Sequence, residues 1–96
     1  VAGSGAAYFY AFTEALARAG EAAGLDASTA DVLARATLRS AAESMGDDAL
    51  DDLIGRIASP GGSTRAGLDA LAGDGRLSLM LRETVAAAVR RNREMG

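Results

Sequence analysis

The chain is 96 residues long, one small domain with little surplus stability, and its 23 alanines, four aromatic residues, single Pro and lack of Trp favour helix while supplying few bulky side chains. With no Cys and no His, a disulfide framework, a thiolate nucleophile, a zinc site of the usual ligands and a Ser-His-Asp triad are excluded. All ten bases are Arg, which removes a Schiff-base lysine and a Walker-type phosphate loop, and thirteen acids leave a net charge of -3, which argues against a nucleic-acid partner.

The first predicted helix runs from Ala6 to about Ala23, after the turn Gly3-Ser4-Gly5. It carries Tyr8, Phe9, Phe12 and Leu16 on one side and Ala7, Ala11, Ala15 and Ala19 on an adjacent face, and Gly24 ends it. The second begins at Ser28-Thr29-Ala30-Asp31, which has capping-box spacing, and its stripe Val32, Leu33, Ala36, Thr37, Ser40 and Ala41 continues to about Met45 before Gly46. Asp47 and Asp48 suit the positive start of a shorter third helix bearing Leu50, Leu53, Ile54 and Ile57. Pro60 biases Ser59 away from helix and stops it. A fourth helix is expected from about Ser63 to Leu71, broken by Gly73-Asp74-Gly75. The fifth carries Leu77, Met80, Leu81, Val85, Ala88 and Val89 and ends in Arg90, Arg91 and Arg93. No alternating β-branched run signals a strand, so the fold class is all-α, without internal repeat or long linker.

Small side chains let helices approach closely but bury little area each, so a symmetric dimer is expected from composition alone. No apolar run reaches membrane-spanning length, and Val1-Ala2-Gly3-Ser4-Gly5 has no signal-peptide pattern, so a cytoplasmic setting is the default. The absence of an initiator Met suggests a piece of a longer chain.

Three candidate motifs reduce to structure. Asp47-Asp48-Ala49-Leu50-Asp51 has a DDxxD spacing that could hold magnesium against a diphosphate, but acids beside a helix start need no metal, and no metal site is expected. Gly3-Ser4-Gly5 lacks the preceding strand, third glycine and following acid of a dinucleotide fingerprint. The C-terminal arginines read as a solvated helix end.

The segment Ser59-Pro60-Gly61-Gly62-Ser63-Thr64 remains. It reads either as a helix stop, a turn and a Ser or Thr cap, or as an anion cradle in which free amides at the start of the fourth helix meet a carboxylate or phosphate.

Gly3-Ser4-Gly5-Ala6-Ala7-Tyr8-Phe9, Glu14-Ala15-Leu16-Ala17, Gly24-Leu25, and Ser59-Pro60-Gly61-Gly62-Ser63-Thr64 with Gly67-Leu68 resemble, in order and over essentially the whole chain, the C-terminal dimerisation domain of pyrroline-5-carboxylate reductase. The resemblance implies an interlocked five-helix homodimer over residues 1–96, with an N-terminal Rossmann domain that binds NADPH or NADH lying outside this stretch. It implies a small carboxylate ligand, pyrroline-5-carboxylate or proline. The amides of Gly61, Gly62 and Ser63 and the Ser59 hydroxyl would hold the carboxylate, while Thr64 would face and orient the ring nitrogen. No cofactor is expected on this chain, which alone should not turn over. Larger assemblies, and the choice of NADH or NADPH, are left open. Three positions depart from the family pattern: Ala6 where Pro is usual, Gly55 where an Asp is common, and Arg76 after Gly75 where a second Gly is common. Two other readings are the helical domain of another imine or hydroxyacid reductase, and a helical interaction module with no substrate.

Overall fold

The computed structural model describes residues 3–96, so the part of the leader reading that falls on Val1 and Ala2 lies outside the described residues. Five α-helices and one short 3-10 turn account for the ordered backbone, and no strand occurs among the described residues. Within the single domain expected from length, the chain divides into two compact units, Val1–Asp48 and Ala49–Gly96.

The first unit is a pair of helices, α1 (Gly5–Ala22) and α2 (Ala27–Met45), that pack on each other. α1 ends where Gly24 takes φ 122, allowing the Leu25 amide to reach the Gly20 carbonyl and the Gly24 amide to reach that of Glu21. This reversal folds Leu25 back on Gly20, where an added Cβ would meet the Leu25 side chain at 3.4 Å.

The start of α2 differs from the capping box read at Ser28. The cap is Asp26, whose carboxylate accepts from the Thr29 amide at 2.9 Å and from the Thr29 hydroxyl at 2.7 Å. Asp26 adopts extended backbone, as a cap residue must, whereas Ser28 is already inside the first turn. Those contacts, the Thr29 hydroxyl first and its amide second, hold the Asp26 carboxyl below its ordinary value.

The seam between α1 and α2 is made of methyl groups. Ala17 and Ala30 are each 2% exposed and Ala34 is 6% exposed, with Thr13 beside them donating its hydroxyl to the Phe9 carbonyl at 2.8 Å. Neither face anticipated on α1 lies in this seam. Ala7, Ala11, Ala15 and Ala19 are exposed, as are Phe9, Phe12 and Leu16, and Tyr8 is half-buried. Arg18 pairs with Glu14 and Glu21 and reaches Asp31, which Arg35 also binds; all are solvent-facing and add little stability.

The second unit holds α3 (Leu50–Ile57), α4 (Ser63–Ala72) and α5 (Arg76–Met95). The acids in the first turn of α3 are Asp51 and Asp52, rather than the anticipated Asp47 and Asp48, because Ala49 is the cap residue. α4 packs against α5 across a sharp break at Gly73–Gly75. There Asp74 takes φ 61 and Gly75 φ 71, two successive left-handed residues that reverse the chain between the helices. Leu68 of α4 and Leu77, Thr84, Val85 and Ala88 of α5 are half-buried, and Ala58, after α3, is the one fully buried residue described in this unit.

Candidate functional site: an open helix start and uncovered apolar faces

α3 stops at Ile57, and Ala58 leaves the helix with extended backbone while its amide still reaches the Ile54 carbonyl at 2.9 Å. The next four residues form a tight turn: the Gly62 amide donates to the Ser59 carbonyl at 3.1 Å, Pro60 sits second, and Gly61 sits third with φ 76. Pro then Gly in these places is what a type II turn requires, because only the third position needs a positive φ.

Gly62 then caps α4. It has extended backbone, and an added Cβ would lie 3.0 Å from the Ser59 hydroxyl oxygen, so that hydroxyl rests directly over the glycine. No side chain bonds to the start of α4, which excludes the Ser or Thr cap anticipated as one reading of this segment. No acid occupies its first turn either. The first of its amides to find a backbone partner is that of Ala66, bonded to the Gly62 carbonyl at 3.1 Å. The amides of Ser63, Thr64 and Arg65 have none among the described residues, and they sit at the positive end of the helix dipole.

The six residues read from the sequence therefore fall in one turn and the opening of one helix. Ser59, Gly61, Ser63 and Thr64 are exposed and Gly62 is half-buried. Sequence reasoning missed two details. The Gly62 amide closes the turn and is not free, and the Arg65 amide joins the open set because it is the third of the helix. Helix geometry alone supplies the second, since the first turn leaves its amides unpaired whatever the residue type.

The second feature is what the chain fails to cover. Seventeen large apolar side chains are between 39 and 73% exposed, and no large side chain is fully buried among the described residues. The total accessible surface is 7415 Å². A compact monomer of this mass exposes roughly 5,100 Å², and even two separate globules of half the mass would together expose roughly 6,200 Å². No helix among the described residues is long and apolar enough to cross a membrane, so the apolar excess does not form a spanning segment.

A helical module that leaves this many large apolar side chains exposed fits the class of association domains completed by other protein surface. Comparison with known proteins identifies which. The family described as pyrroline-5-carboxylate reductase dimerisation matches residues 1–95, and the chain belongs to that family. It is 41% identical over 73 residues to pyrroline-5-carboxylate reductase 2 of Bacillus subtilis, covering 74% of this chain and 26% of that protein. With pyrroline-5-carboxylate reductase 1 of the same organism the identity is 42% over 73 residues, covering 74% and 25%. With pyrroline-5-carboxylate reductase of Synechocystis it is 39% over 98 residues, covering 100% of this chain and 36% of that protein. No solved structure matches the chain. The chain thus spans about a quarter to a third of the length of these relatives.

Proposed function

We propose that this chain is the subunit-association and substrate-carboxylate module of a reductase that reduces the cyclic imine pyrroline-5-carboxylate to L-proline. The observation that carries the reading is the start of α4: three unpartnered amides, a glycine cap and no acid of its own, facing solvent beside the Ser59 hydroxyl. A carboxylate placed there would accept from the amides of Ser63, Thr64 and Arg65 and from Ser59, with the helix dipole in its favour. The Gly61 amide adds a donor on the turn side.

Thr64 stands one residue into the helix, within the same cradle. Its hydroxyl is a weak acid, so its role is to hydrogen-bond and orient the ring nitrogen while the carboxylate is gripped, and the gain is positional. The reaction also needs a hydride from NADPH or NADH. A dinucleotide site is built on a strand, a glycine turn and a helix, and no strand occurs among the described residues, so these residues do not fit that group. The cofactor belongs to the remainder of a longer protein. Residues 1–96 act as one functional domain in this reading, as a homodimer in the cytoplasm.

The test uses L-proline as the probe. A ligand that binds only the folded chain stabilises it by about 2.7 kcal/mol at a hundred times its dissociation constant, so the thermal midpoint rises with proline and does not rise with prolinamide, which lacks the carboxylate. Equal responses to both compounds would defeat the carboxylate reading.

A further inference from the structure

Between α1 and α2 lies a polar cleft of about 320 Å³ that shares no residue with the start of α4. α1 contributes Tyr10 and Glu14 to it. α2 contributes Asp31, Arg35 and Arg39, which follow one another at four-residue steps along one face, with Leu38 half-buried beside them. The two ends of this cleft are charged unequally. Arg35 takes the Asp31 carboxylate at 2.8 Å, whereas Arg39, one turn further on, makes no ion pair among the described residues. Two arginines four residues apart repel each other, and a single acid on their face does not offset both. At the other end the acids are in excess. Arg18 is divided among Glu14 at 3.1 Å, Glu21 at 2.6 Å and Asp31 at 4.0 Å, so one cation serves three carboxylates.

We infer that this cleft binds a free α-amino acid with an apolar side chain, its carboxylate on Arg39 and its ammonium on Glu14. The charges select a dipolar ligand. Glu14 and Asp31 against Arg35 and Arg39 give the lining no net charge, so neither a simple anion nor a simple cation is favoured, while a zwitterion meets the unpaired arginine and the crowded acids together. A guanidinium receives a carboxylate through two parallel N–H donors. The Tyr10 hydroxyl, which makes no hydrogen bond among the described residues, adds a third donor, and its 67% exposed ring with Leu38 offers apolar surface to the side chain. The volume stands at the small end of ligand sites, in the size class of a single metabolite. The site lies wholly in the first unit and is separate from the carboxylate module proposed above.

The test titrates the whole chain with L-leucine and follows backbone amide resonances by nuclear magnetic resonance. The amides of Tyr10, Glu14 and Arg39 should shift and saturate. Two probes divide the ligand: 4-methylpentanoate lacks the ammonium, and L-leucinamide lacks the carboxylate. Each should bind about tenfold more weakly than leucine, as should leucine to Arg39→Gln and to Glu14→Gln, with Arg39→Lys recovering part of the loss. Both positions are exposed, so helix content by circular dichroism should be unchanged. Equal binding of 4-methylpentanoate and leucine would reveal an anion site only and overturn the inference. Full affinity in Arg39→Gln, or no saturable shift at the three amides, overturns it as well. The amides of Ser63, Thr64 and Arg65 are read in the same spectra, so a failure at the cleft and a failure at the α4 start are told apart.

Discussion

The N-termini of α2 and α4 pose the same problem and receive opposite answers. Each helix begins with unpartnered amides at the positive end of its dipole. At α2 the chain supplies its own anion, since Asp26 accepts from both the amide and the hydroxyl of Thr29. At α4 the cap residue is Gly62, no side chain closes the helix, and no acid stands in the first turn. The difference shows that α2 alone among these helices closes its start with its own side chain, while the open amides at α4 are the feature on which the proposed carboxylate site rests.

That contrast can be broken most severely by making the second helix start like the first. Gly62→Asp puts a carboxylate at the cap of α4, and the Ser59 hydroxyl 3.0 Å from the new Cβ can rotate aside. The proline-dependent rise in thermal midpoint should then disappear, because the helix has satisfied itself; a full proline response in this variant would end the comparison. Gly61→Val attacks the turn that presents the helix. A β-branched residue at φ 76 costs about 1–3 kcal/mol, so urea unfolding should move to lower midpoint and the response to proline should weaken with it. Thr64→Ala, introduced into the longer reductase, removes one orienting hydrogen bond and should lower kcat/KM about tenfold with unfolding unaltered. Turnover equal to the parent would remove that role for the hydroxyl.

The smallest effect sharpens the other half of the contrast. The Thr29 hydroxyl and amide favour the ionised form of Asp26 in the folded chain, so its folded pKa lies below the unfolded one. Its contribution is therefore complete above the unfolded value, near 4, and is lost as pH falls through the lower folded value. Asp26→Asn keeps an acceptor oxygen but cannot titrate, so the acid limb of the stability profile below about pH 4 should be flatter than in the parent when followed by circular dichroism.

The helices themselves were legible because their boundaries are written in residues with narrow backbone preferences. Gly24, Gly46, Pro60 and the Gly73-Asp74-Gly75 break all fall where the elements end. The caps were less legible. Ser28 and Asp26 both suit a helix start, and each stands three residues before a polar residue, so spacing does not separate them; Asp26 is the one that bonds. The third helix shifted by the same ambiguity, since four acids stand close together and any pair of them could have filled its first turn. At the turn before α4, Pro60-Gly61 announced the conformation, but the sequence could not say that the Gly62 amide is spent closing it. The buried seam was the least visible part. Alanine carries almost no periodic signal, and Thr13, Ala17, Ala30 and Ala34 became the core only because the larger residues around them face outward.

A seam of methyl groups freezes almost no rotamers, and its heat of melting is correspondingly modest. In a calorimeter the dilute chain should therefore give a broad, shallow transition with a small heat-capacity step, and the concentrated chain a sharper, taller one whose step is larger. The increment between the two measures how much greasy surface each polypeptide borrows from its neighbour.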